Sequence, residues 1–147
     1  MQGKIAFEEH MAIPETLGDS KGFAQESGRW DEFQQELLDT DDTRLAFMDA
    51  AGIELAFLSL NAPAVQAILD RDEAVEVSRK ANDRMAAAAK RHPDRYRALA
   101  ALPMQDPKAA GEELRRCVEL LGFEGALVNG FTQRDVADSM IYYDIPE

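Results

Sequence analysis

The sequence predicts an α/β chain whose strands run parallel and are joined by helices. Four short apolar runs, near residues 3–10, 53–60, 96–102 and 125–129, have the length and character of strands. The stretches between them carry apolar residues at helical spacing, with capping residues before them and Gly or Pro after them. Each strand-plus-helix unit takes roughly the thirty-odd residues of a βα repeat. Alternation of this kind implies a parallel sheet covered by helices. Four strands are too few to close a TIM-type (β/α)8 barrel, so residues 1–147 read as a single partial domain, about half of such a barrel.

The first run is Lys4-Ile5-Ala6-Phe7-Glu8-Glu9-His10. From Met11 to about Arg29, Pro14, Gly18, Gly22 and Gly28 interrupt any period, and the segment reads as a long loop. Trp30 and Phe33 lead into a helical stretch ending near Leu38. Asp41 and Asp42 are N-cap candidates for a helix carrying Leu45 and Met48, which Gly52 stops. Ile53 to Leu60 is almost continuously apolar, as suits a strand buried on both faces. Ala74, Val77, Ala81, Met85 and Ala88 then mark one face of a long helix from Asp72 to about Arg91, closed by Pro93. His92 reads as a cation at that helix's C-terminus. Tyr96 to Leu102 is the third strand, and Asp106-Pro107 caps and opens the next helix. Ala110, Leu114, Cys117 and Leu121 line its inner face, so Cys117 reads as a small buried hydrophobe. Gly122 ends this helix and Gly125 to Asn129 is the fourth strand. Tyr142 to Pro146 show no period.

Composition narrows the partners. Apolar residues make up 46% of the chain, enough for a core, and the formal net charge is −12. An acidic surface disfavours nucleic acid and anionic membranes, both of which need basic patches. One cysteine excludes an intramolecular disulfide and fits a reducing compartment. No basic segment followed by an apolar run opens the chain, and no run approaches a membrane span, so a cytoplasmic protein is expected.

In parallel α/β folds ligands bind at the C-terminal ends of the strands. Those ends are Glu8-Glu9-His10, Ser59-Leu60-Asn61, Leu102-Pro103 and Asn129-Gly130-Phe131. Strand alternation puts Glu8 and His10 on one face, where a carboxylate oxygen and an imidazole nitrogen can hold zinc or a similar ion. The plain alternative is a solvated Glu and a surface His. Asn61 reads first as a turn residue satisfying its own backbone, and Asn129 fits that role or a ligand contact equally well. Phe23 is either an aromatic pocket wall or, more simply, a loop anchor. There is no Walker loop, no dinucleotide glycine fingerprint and no nucleophile elbow.

Five segments, GKIAFEEHMAIPET, DTRLAFMDAAGIE, LSLNAPAVQAI, ALPMQDP and GFEGALVNGF, together resemble the amidohydrolase-related aromatic acid decarboxylases, nearest their dihydroxybenzoate-acting members. The resemblance runs over essentially the whole chain. It implies a distorted (β/α)8 barrel holding one divalent metal, zinc or manganese, with no organic cofactor. Most amidohydrolases open with His-x-His and the decarboxylase branch with Glu-x-His, so Glu8 and His10 are the implied metal ligands. Phe23 and Asn129 are the implied substrate-binding positions, Phe23 matching a pocket aromatic and Asn129 a residue near the bound ligand, and Asn61, by its place at the end of the second strand, is the third substrate-binding candidate. The family's second His ligand, its ligating Asp and its catalytic His come from the second half of the barrel. They are expected beyond this chain's end, so no catalytic residue is assigned here.

Three functions follow as expectations. One is a metal-dependent, non-oxidative decarboxylase of a hydroxylated aromatic acid, incomplete and inactive by itself. Another is a catalytically dead half-barrel that serves in assembly. The last is a metal-dependent hydrolase on the same scaffold, since fold does not fix chemistry. An open half-barrel also predicts a homo-oligomer or capture of a complementary half, because its edge strands and inner face lack partners.

Overall fold

A computed structural model describes residues 3–25 and 28–129. Its four strands are β1 (Lys4–Met11), β2 (Ile53–Leu60), β3 (Tyr96–Ala100) and β4 (Gly125–Ala126). They form one parallel sheet in the order β1-β2-β3-β4. Sequential neighbours, each reached through helical connections, are the arrangement of consecutive strands in a (β/α)8 barrel. The helices are α1 (Lys21–Gln25), α2 (Trp30–Leu38), α3 (Asp42–Ala51), α4 (Arg71–Arg91) and α5 (Pro107–Leu121). No described helix is long and apolar enough to cross a membrane.

The sheet has one covered and one open face. Ala56, Leu58 and Leu60 of β2 and Tyr96, Ala98 and Ala100 of β3 are buried in the core with Ala74, Val77, Ala81, Met85 and Ala88 of α4 and Ala110 and Cys117 of α5. The opposite face carries Ile5, Phe7, Leu55, Phe57, Leu99 and Leu127. Ile5 is 57% exposed and Phe7 66%, and the Phe7 and Phe57 rings stack at 4.4 Å. Ala6 belongs to the covered side, in register with Ala56 and packed on the core.

Side chains decide where the strands stop. The third strand ends at Ala100, short of Leu102. Asn82 takes both the N–H and the carbonyl of Ala101, and Ser78 Oγ donates to the same carbonyl at 2.8 Å. The fourth strand is a two-residue pairing, shorter than 125–129: the Leu127 N–H still reaches the carbonyl of Ala100, the last residue of β3, and the Asn129 backbone is bonded to Gln66. The expected loop after β1 contains a 3-10 turn at Leu17–Ser20 and the short α1. Gly130-Phe131 and the tail from Tyr142 lie outside the described residues.

Helix ends follow the sequence with one exception. Gly52 and Gly122 terminate α3 and α5 in the left-handed conformation, φ 70° and 74°. The Asp106 carboxylate accepts from Ala109 N–H at the start of α5. At α3, however, neither Asp41 nor Asp42 supplies the cap. Asp39 accepts from the N–H groups of Asp41, Thr43 and Arg44 at 2.8–3.0 Å. Burial works against its charge, yet these donors hold its carboxyl below the usual range. Asp41 is drawn away to Arg91 at 2.9 Å and His92 at 2.7 Å, which lower its pKa. His92 is thus tied at the C-terminus of α4, as its position suggested.

Candidate active site

The C-terminal end of β1 is bulged. Ala6 aligns with Ala56, but the next aligned pair is Glu9 with Leu58, so β1 spends one residue more than β2 over this interval. Glu8 sits in the bulge with φ +58°, and its side chain is exposed. The extra residue resets the alternation. In an unbroken strand Glu9 would lie beside Ser59 and His10 beside Leu60. Here His10 aligns with Ser59 and the fully buried Met11 with Leu60. Strict alternation therefore does not govern how Glu8 and His10 relate, since an irregular step separates them.

The His10 ring is held from one side. Its Nδ1 lies 2.9 Å from Ser59 Oγ, and among the described residues no protein group bonds Nε2. The half-buried Arg44 guanidinium fixes the backbone at the same place. It donates to the carbonyls of His10 (2.9 Å), Glu36 (2.8 Å) and Asp39 (2.9 Å), and pairs with Glu9 at 3.3 Å. Glu9 and His10 also border a cleft of about 350 Å³ between the β1 edge and α2 and α3. Neither Ser59 nor Arg44 was singled out from the sequence. Ser59 had a signal, as the one hydroxyl in an otherwise apolar half-strand. Arg44 had none, because its partners are remote carbonyls.

Asn61 directly follows β2 and Asn129 lies just beyond β4. Both line a small pocket with Gln66 and Ala101, of about 10 Å³ and so with room for roughly one water. The Asn61 carboxamide is committed within the protein. Thr16 Oγ1 donates to its Oδ1, and its Nδ2 donates to the Thr16 carbonyl and to Ser20 Oγ. It bonds a distant loop, not its own backbone. Asn129 has its backbone held by Gln66, N–H to Oε1 at 2.7 Å and carbonyl from Nε2 at 3.1 Å. Its carboxamide has no partner among the described residues. Nearby, burial raises the Asp19 carboxyl, opposed by a hydrogen bond from the Ala64 N–H. Phe23 lies in α1, and its side chain is outside the described set.

The donor types suit a divalent metal. Glu8 offers an exposed carboxylate and His10 an open ring nitrogen at the end of one strand. They supply two donors only. Among the described residues no group of three or more His, Cys, Asp or Glu side chains is placed to hold a metal ion.

Parallel β/α units with polar side chains gathered at the C-terminal strand ends define this protein as half of a (β/α)8-barrel scaffold. The chain belongs to the amidohydrolase family, whose model matches residues 14–144. It is 60% identical over 147 residues to the γ-resorcylate decarboxylase of Rhizobium radiobacter, covering 100% of this chain and 45% of that protein. It superimposes with a TM-score of 0.91 and 60% identity on a crystal structure of 2,6-dihydroxybenzoate decarboxylase complexed with 2,6-dihydroxybenzoate, covering 99% of this chain and 45% of that one. A dihydroxybenzoic acid decarboxylase from a Polaromonas species, with bound manganese and the inhibitor 2-nitroresorcinol, matches at TM-score 0.87 and 56% identity over 90% of this chain and 40% of its own. The chain thus spans under half the length of the curated relatives it matches.

Proposed function

We propose that this chain supplies the first two metal donors and part of the substrate pocket of a metal-dependent, non-oxidative hydroxybenzoate decarboxylase, with 2,6-dihydroxybenzoate (γ-resorcylate) or a close isomer as substrate. The observation that supports it most is the placement of Glu8 and His10 at the end of β1, with no partner on Nε2 among the described residues, in a chain 60% identical to a γ-resorcylate decarboxylase. The metal is a single zinc or manganese ion, either of which suits a carboxylate and an imidazole. Bound there, it would supply Lewis acidity toward the aromatic acid. Glu8 and His10 hold and orient it. Asn129, whose carboxamide has no partner among the described residues, and Phe23 contact the aromatic acid. Asn61 acts through the loop it fastens. The reaction breaks the bond between ring carbon and carboxyl carbon, places a proton on that ring carbon and releases carbon dioxide. The proton donor and the further ligands come from residues other than those described.

Complementation tests this. The chain alone, supplied with manganese, should release no carbon dioxide from 2,6-dihydroxybenzoate above background. Mixed with the part of the Rhizobium radiobacter relative that it does not match, it should gain turnover that Glu8→Ala or His10→Ala abolishes. A folded, metal-loaded mixture without turnover, or one indifferent to His10→Ala, would overturn the reading.

A second reading, the assembly half-barrel, draws on the open sheet face. Ile5 and Phe7 are more than half exposed on a surface that in a closed barrel packs inward. On this reading the chain binds a second copy or a complementary half across that face.

A further inference from the structure

We propose that Ser59 is a positioning residue for the metal site: its hydroxyl accepts the Nδ1 proton of His10, so that an unprotonated Nε2 is presented to the metal. This rests on the reading of His10 as a ligand.

The pairing is built by the fold. The bulge at Glu8 brings His10, and not Glu9, into register with Ser59, and the two side chains meet at 2.9 Å. Ser59 is 0% exposed, so water does not compete for its hydroxyl. His10 is its only side-chain partner among the described residues.

A neutral imidazole carries one proton, and only the nitrogen without it can bind a metal. Nδ1 has a protein oxygen against it and is closed to a metal. Nε2 alone remains, and it is a donor to the metal only if the proton sits on Nδ1. The reverse arrangement, with the Ser59 hydroxyl donating to Nδ1, leaves the proton on Nε2 and blocks it. Free histidine favours that blocked form in water, so the site needs a specific acceptor at Nδ1. Metal-binding histidines generally have such a partner on the second nitrogen. Here a serine takes the place of the commoner carboxylate or carbonyl.

The chain has two histidines, His10 and His92, so its imidazole spectrum is simple. The 15N-labelled chain, held about two pH units above the ordinary histidine value, gives the proton position from ring 15N shifts without metal. A His92→Gln variant assigns the two rings. His10 should show Nδ1 protonated and Nε2 bare. Ser59→Ala should move it toward the Nε2-protonated form and weaken zinc binding, followed at Nε2, by about 10–100-fold. Ser59→Thr, which keeps the hydroxyl, should preserve both. Protonated Nε2 in the unmodified chain, or a tautomer unchanged in Ser59→Ala, would overturn the inference. Zinc binding equal in His10→Ala and the unmodified chain would instead overturn the ligand reading beneath it, and the tautomer measurement separates the two failures.

Discussion

Asn61 and Thr16 are joined by two hydrogen bonds: Thr16 Oγ1 donates to Asn61 Oδ1 and Asn61 Nδ2 donates to the Thr16 carbonyl, each at 2.9 Å. Both residues are buried, and Asn61 Nδ2 also reaches Ser20 Oγ at 2.8 Å. The bracket pins the segment after β1 to the end of β2. Asn61→Ala removes all three bonds, while the Thr16 carbonyl keeps the Asp19 N–H at 3.1 Å, at a cost of about 2–4 kcal/mol. Urea unfolding should show a lower midpoint with an unchanged slope. Amide exchange should rise at residues 16–20 well before it rises in β2. Wild-type stability in this variant would show that the bracket is not what holds the loop.

Glu113 joins α4 to α5 from within. Its carboxylate is 2% exposed and accepts from Asn82 Nδ2 at 2.8 Å and Arg116 Nη2 at 2.7 Å. Burial pushes its pKa up, but Arg116 and Asn82 outweigh that and hold it below the ordinary 4.5. The folded value lies below the unfolded one. The stabilisation is therefore complete above about pH 4.5 and is lost as pH falls through the depressed value. Glu113→Ala should cost about 2–3 kcal/mol at neutral pH, because Arg116 and Asn82 lose a buried charged acceptor and keep only Asp83 and Ala101. Glu113→Gln should unfold with a shallower dependence on pH below 4.5 than the unmodified chain. Parallel acid profiles for the two would contradict this.

Metal retention by the isolated chain should be poor. Two protein donors leave most coordination positions to water. After dialysis, elemental analysis should find well under one zinc or manganese per chain. Stoichiometric metal that disappears in Glu8→Ala would mean that ligands are recruited from elsewhere, such as a second copy.

The open sheet face should drive association. Covering apolar surface is worth roughly 25 cal/mol per Å² before association costs. Phe7, stacked on Phe57, is the largest contributor in view. Phe7→Lys should weaken self-association or aggregation at least tenfold in sedimentation runs across concentration. A sharply unfolding monomer at high concentration that binds no hydrophobic dye would count against the assembly reading.

Cys117 should be inert. Burial and the neighbouring Glu113 carboxylate push its thiol up to about 12. A thiol reagent at neutral pH should leave it unmodified in the folded chain and react with it in urea. Rapid labelling under native conditions would show that α5 opens locally.

The local sequence by itself determined the elements and their order. The apolar run at Ile53–Leu60, the periodic face of α4, the Asp106 cap and the Gly52 and Gly122 stops all act over a few residues, so they are legible one after another along the chain. It also pointed to Glu8, His10 and Asn129 by residue type and place at strand ends. Tertiary structure decided what those residues face. An inserted residue at Glu8 turned His10 toward Ser59, a partner 49 positions away. Asp41 left its helix cap for Arg91 and His92, and Asp39 took its place. Asn61 engaged Thr16 and Ser20 instead of its own turn, while Gln66 held the backbone of Asn129. Each of these choices depends on groups distant in sequence competing for one hydrogen bond. Periodicity carries no information about that competition, because it records which face a residue is on and not which partner waits there.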